Sequence, residues 1–166
     1  MIILGIDPGS RVTGYGCVRF ERDKPVYIEA GVIRTSHDEF NQRLKEIHDG
    51  VAMLVDRLQP DAVAVEQVFV SRNASSALKL GAARSAAICA TFARAPTLAE
   101  YAPRAIKQAV TGTGSATKEQ VQHMVRALMG IDQPLAIDAS DALAVAVCHG
   151  NSQHLQERLN RMAVRR

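Results

Sequence analysis

Residues 1–20, MIILGIDPGSRVTGYGCVRF, decide the fold. The apolar run Ile2–Ile6 ends on a single carboxylate, Asp7, and Pro8-Gly9 then supplies a turn. VTGYGCVRF, residues 12–20, returns as the partner of a hairpin. A strand this apolar belongs inside a sheet, where an unpaired carboxylate is costly. Asp7 therefore calls for a cation: a basic side chain, the magnesium of a nucleotide, or a catalytic metal of the protein's own.

Working outward, PVYIEAGVIRT (25–35) reads as a third strand and completes an antiparallel meander. The period then changes. Phe40, Leu44, Ile47, Val51, Leu54 and Leu58 form one stripe at helical spacing, ending before Pro60. DAVAVE (61–66) is a short apolar run ending on Glu66, most simply a parallel strand reached by a helical crossover. Beyond it come a loop, a helix from about Ser75 rich in alanine and glycine, and a candidate strand in PTLAEYA (96–102). Pro103 is placed to open a helix that Gly112 stops. Thr117 and Gln120 fit a capping box, which puts Lys118 in the first turn of the next helix. AIDASDALAVAVCHG (136–150) is a final apolar helix with acids only near its start. This order resembles a ribonuclease H-like α/β domain: a central mixed five-stranded sheet flanked by helices. A dinucleotide-binding reading fails on the glycine spacing, which lacks the compact strand-to-helix turn.

At 166 residues and 47% apolar composition, one compact domain over 1–150 is expected, with 151–166 as a basic and flexible C-terminal tail. Three distant cysteines, Cys17, Cys89 and Cys148, argue against a disulfide framework or a zinc site. The start has no basic leader, and no apolar stretch is long enough for a bilayer, so a cytoplasmic location without membrane association is expected. The net charge of +3 says little by itself. Its distribution says more: between Val68 and Lys118 stand Arg72, Lys79, Arg84, Arg94, Arg104, Lys107 and Lys118, against the single acid Glu100. A solvated helix surface would account for this; so would a polyanion held against an acidic centre.

That centre would comprise four carboxylates. Asp7 and Glu66 end strands; Asp138 and Asp141, three apart, share one face of the last helix. Each has an ordinary use, Asp7 accepting from its turn and Asp138 with Asp141 capping a helix. Gathering all four disfavours ionisation unless hard cations with oxygen ligands neutralise them, which suits magnesium or manganese. Two such ions would support phosphodiester hydrolysis. An actin-like ATPase shares the strand, acid and glycine hairpin but needs a second lobe for which this chain has no room. A DNA-binding protein with structural acids, and a nuclease acting on RNA or simple duplex, also remain open from the residues alone.

The stretches GIDPGSRVTGYG, VEQVFVSRNASSALKLGAARSAA, YAPRAIKQAVTGTGSATKEQVQHMV and DASDALAVAVCH closely resemble the RuvC crossover-junction endodeoxyribonucleases, the bacterial Holliday-junction resolvases. The likeness spans nearly the whole chain apart from the basic end. It implies catalytic, metal-holding acids at Asp7, Glu66, Asp138 and Asp141, and magnesium (manganese substituting) as the cofactor, with two ions per site. It implies a homodimer that cuts opposed strands of a four-way DNA junction during recombination and repair, alongside branch-migration proteins. It also places a junction-contacting aromatic at Phe69, important cations at Lys107 and Lys118, and further DNA contacts at Arg72, Asn73 and Ser76. From the residues, Phe69 would stack on an unpaired base. Lys118 at a helix start lacks a dipole rationale and so suits a phosphate. The small-residue helix from Ser75 is the expected dimer surface.

Overall fold

The computed structural model describes residues 1–21, 23–67, 73–94 and 97–164. Five strands run β1 (Ile2–Asp7), β2 (Val12–Glu21), β3 (Lys24–Arg34), β4 (Ala62–Glu66) and β5 (Leu98–Tyr101). The helices are α1 (Phe40–Leu58), α2 (Ala74–Cys89), α3 (Pro103–Thr111), α4 (Lys118–Met129) and α5 (Ile137–Val164). They form one mixed sheet in the order β3-β2-β1-β4-β5, the first three antiparallel and β4 and β5 parallel to β1. This is the ribonuclease H-like arrangement expected from the element order.

Period-two alternation sorts the strand residues between two layers. Leu4, Ile6, Cys17, Val63 and Val65 pack with Ile47, Val51, Leu54 and Val55 of α1 and with Ala83 and Ala87 of α2. Ile3, Val18 and Ala64 face the other way, onto Leu143, Ala144 and Val147 of α5, with Ile106 and Val121 from α3 and α4 behind. The α1 stripe is thus ordinary core. Its helix ends where Gln59 adopts a left-handed conformation, φ 44°, and its N–H returns to Val55 O.

The two faces differ in how closely they pack. A Cβ at Gly5 would stand 2.0 Å from Ala142 O, one at Gly14 2.0 Å from Asp138 O, and one at Gly16 2.6 Å from the Leu143 N. Glycine at these three positions lets the backbone of α5 touch the sheet. Residues 151–164, set apart from the domain in the sequence, are the second half of α5. Gly150 there makes room for the ring of Phe20. Among the described residues no helix is long and apolar enough to cross a membrane.

Candidate active site

Asp7 and Glu66 meet because of register. The parallel ladder pairs Ile6 with Val65, so the next residues on both strands, the two acids, stand side by side at the C-terminal edge. Alternation aims both at α5: Asp7 shares its face with Ile3 and Gly5, Glu66 with Ala64. Asp7 is also laddered to Gly14 on β2, and Gly14 is where the first turn of α5 rests, at Asp138. Since α5 starts at Ile137, Asp138 lies inside its first turn and Asp141 one turn further in.

Asp7, Glu66 and Asp141 line one cavity of about 110 Å³, with Lys107, Lys118, Pro103, Ile106, Val121 and Ala144. Burial first, then the charges of Glu66, Asp141 and Asp138, push the Asp7 carboxyl up to about 7, opposed by Lys118. Glu66 is raised too, mainly by burial and then by Asp141; Lys118, a hydrogen bond with Asp7, and Lys107 pull it back. All four acids therefore act on one electrostatic centre.

Lys118 is the first residue of α4. Thr117 and Gln120 close the expected capping box around it, Gln120 N donating to Thr117 Oγ1 at 3.3 Å and Thr117 N to Gln120 Oε1 at 2.8 Å. Its Nζ donates to Asp141 Oδ2 at 3.1 Å. The lysine set aside for phosphate is thus also the cation that the acids demand. Lys107, on α3, borders the same cavity.

Among the described residues no three His, Cys, Asp or Glu side chains stand close enough to share one ion. The acids are spread around the cavity, and one is bridged to lysine. Their chemistry still fits a hard divalent cation. Every donor is a carboxylate oxygen, and Asp7, raised first by burial and then by the charges of its three neighbours, is an acid whose ionisation a cation would favour.

Phe69 and Arg72 lie outside the described residues. Asn73 caps α2, its Oδ1 accepting from Ser76 N at 3.2 Å, and both residues are exposed near the start of that helix. His149 and Tyr101 belong to the frame: His149 is 1% exposed, with its Nδ1 2.9 Å from the Tyr101 hydroxyl.

Two positioning groups escaped the sequence reading. Gly14 is one, its lack of a side chain having been read only as hairpin spacing. Arg43 is the other. It is buried, donates from Nε to Ser10 O at 3.2 Å and from Nη1 to His37 O at 3.3 Å, and so ties the turn after Asp7 to the start of α1. Its signal was available: an arginine standing between Phe40 and Ile47, on the apolar side of an amphipathic helix.

Comparison with known proteins places this geometry. The family model described as crossover junction endodeoxyribonuclease RuvC matches residues 3–149. The protein of that name from Methylococcus capsulatus is 54% identical over 163 residues, covering 98% of each chain. That of Tolumonas auensis is 51% identical over 98% of this chain and 92% of its own. A solved structure of T. thermophilus RuvC in complex with Holliday junction substrate superposes with a TM-score of 0.87 at 35% identity, over 94% of this chain and 96% of that one. The yeast mitochondrial Holliday junction resolvase Ydc2, at 12% identity and a TM-score of 0.73, shares the fold. With the family model spanning both strand-end acids and the start of α5, and relatives more than half identical along nearly their whole length, this chain belongs to the RuvC crossover junction endodeoxyribonuclease family.

Proposed function

We propose that this protein resolves four-way DNA junctions by metal-dependent hydrolysis of opposed strands, with Asp7, Glu66, Asp138 and Asp141 as the catalytic, metal-holding acids. The observation that carries the site assignment is the cavity ringed by Asp7, Glu66 and Asp141, in which burial and like charge lift Asp7 to about 7. Hydrolysis in this family is metal-dependent; magnesium, with manganese able to replace it and two ions per site, is our finer assignment. Bound there, such ions would lower the pKa of water and stabilise the leaving oxygen. The chain's own part is to hold the acids at fixed positions, two by adjacent strand ends and two by a helix seated on glycine. Releasing a proton from Asp7 completes the charge that the ions require. Lys118, which borders the same cavity, would contact the DNA backbone, and Lys107 would offer a second phosphate contact from α3.

We assign DNA contacts also to Phe69, Arg72, Asn73 and Ser76, with Phe69 stacking on a base left unpaired at the junction. Two opposed cuts need two sites, and we place the homodimer surface on α2. Leu78 there is 75% exposed, and Gly81 has nothing within 4 Å of where a side chain would stand, which supports close approach of a second copy. Work alongside branch-migration proteins, in the cytoplasm, completes the assignment.

The test is cleavage of a mobile four-way junction with magnesium, comparing the wild type with Glu66→Gln. We expect retained junction binding and a loss of cleavage of about a thousandfold or more. Normal cleavage by the variant would remove Glu66 from the site. Equal cutting of linear duplex and junction by the wild type would overturn junction selectivity. Sedimentation checks the dimer: a strictly monomeric protein that still made paired cuts would defeat it.

A further inference from the structure

The second half of α5 carries an apolar row that no other element among the described residues covers. Ala144, Cys148, Asn151, Leu155, Leu159 and Met162 follow one another at intervals of three or four, forming one ridge along the helix. The ridge begins in the core, where Ala144 and Cys148 pack with Ile106 and Val110 of α3. At Asn151 the side-chain Nδ2 donates to Ala109 O of α3 at 3.2 Å. Past that point α3 no longer covers the ridge: Leu155 is 57% exposed, Leu159 51% and Met162 66%.

This half of α5 is nevertheless held in place. On its opposite side His154 Nδ1 meets Asp23 Oδ1 at 3.3 Å, and Phe20, Gly150, Glu157 and Arg161 border a shallow cavity against the end of the β2–β3 hairpin. An anchored helix with one bare apolar face stands at the edge of a helical layer, as if one more helix belonged beside it.

Charge selects the occupant. Arg158 follows one edge of the bare row, with His154 and Arg161 behind it toward the hairpin, whereas the other edge carries Gln156 and Asn160. Among the described residues Arg158 has no ion-pair partner, and Arg161 has only the exposed Glu157 at 3.7 Å. An antiparallel second copy of this helix would bring arginine against arginine, and a parallel one would set Arg158 against the uncharged Gln156 and Asn160, so neither supplies the opposite charge. Nucleic acid would leave the leucines wet, and the row begins about 21 Å along the helix from Asp141. We propose that Leu155, Leu159 and Met162 form a docking surface for an amphipathic helix of another protein, one bearing leucine-like residues toward this row and acidic residues along the edge that meets Arg158 and Arg161.

The experiment uses the full chain and two labelled three-heptad helical peptides with the same leucine seam, one flanked by glutamate and one by lysine. Fluorescence anisotropy should show the glutamate peptide binding at least about tenfold tighter. The double variant Leu155→Ser, Leu159→Ser should lose at least about tenfold of that affinity while cleaving junctions at the wild-type rate, which shows that it is folded. Arg158→Glu with Arg161→Glu should reverse the ranking of the peptides. Equal binding of the two peptides, or undiminished binding by the serine variant, would overturn the proposal. A halved sedimenting mass for the serine variant would assign the row to a second copy instead. Displacement of the glutamate peptide by anionic phosphatidylserine vesicles would assign it to a lipid surface.

Discussion

The two faces of the sheet are both buried, yet they are built on opposite rules. On the α1 face Leu4, Ile6 and Val65 fill space against Ile47, Val51 and Val55, and side chains set the distance between layers. On the α5 face Gly5, Gly14 and Gly16 withdraw side chains so that backbone meets backbone. The first arrangement supplies burial, roughly 25 cal/mol per Å² of apolar surface, and accommodates small changes by repacking. The second supplies position. A helix resting on main-chain atoms cannot settle closer or stand off without breaking contact, and it is this helix that carries Asp138 and Asp141 to the strand ends.

The sharpest way to break that contrast is Gly14→Ala. Its new methyl would meet the Asp138 carbonyl, which is backbone and cannot swing away. We expect junction cleavage to fall by about a hundredfold or more, as displacements near 1 Å do, with stability reduced by about 1–3 kcal/mol. Wild-type cleavage by this variant would show that the glycine seat is only packing.

Val51→Ala makes the complementary test on the other face. It should cost about 2 kcal/mol in urea denaturation through the cavity it leaves. Cleavage per folded molecule should stay within about twofold, because the acids project to the opposite face of the sheet and Arg43, which ties α1 to the turn after Asp7, lies about two turns away.

Asp7→Asn sharpens the contrast in electrostatic terms. The folded carboxyl titrates near 7 and the unfolded one near 3.8. Between these values the native state keeps a proton that the unfolded state has lost, so ionisable Asp7 costs stability increasingly as pH rises from about 4 to about 7. In EDTA the asparagine variant should therefore melt at the wild-type temperature near pH 4. Above pH 7 it should be more stable by on the order of 4 kcal/mol, or about 8–16 °C. Added magnesium should then raise the melting temperature of the wild type more than that of the variant.

Lys118→Ala should have the smallest effect on the fold. Its ion pair with Asp141 leaves the lysine side chain 67% exposed but the aspartate only 18%, so thermal melting should fall by about 1 kcal/mol in equivalent stability, less at high salt. Junction affinity should still weaken, with the salt dependence shallower by about one phosphate contact.

Much of this was legible in the sequence wherever one residue type has one strong local use. Pro8-Gly9 after an apolar run specified the hairpin, the Phe40–Leu58 stripe specified α1, and Thr117 with Gln120 specified both the start of α4 and the place of Lys118. The strand-end acids were legible because a carboxylate closing a buried run has few quiet explanations. What stayed hidden depends on distant pairings. Nothing local distinguishes Gly14 as the seat of a helix more than a hundred residues away from a glycine easing a turn. The bond between Lys118 and Asp141 required knowing how α4 lies beside α5. The length of α5 was obscured by Gly150, which looks like a helix stop until the Phe20 ring is seen lying against it.

The glycine seat also gives α5 the mechanics of an unequal beam. Its pivot lies near Leu143, with Asp138 about 8 Å away on the short arm and Met162 about 28 Å away on the long one. For a rigid helix, a sway of about 4 Å at Met162 moves Asp138 by only about 1 Å and Asp141 by about half that. Motion applied at the far end reaches Asp138 divided by roughly four. Because a displacement near 1 Å already costs about a hundredfold in rate, the anchoring of the long arm at His154 and Gly150 also steadies the acids.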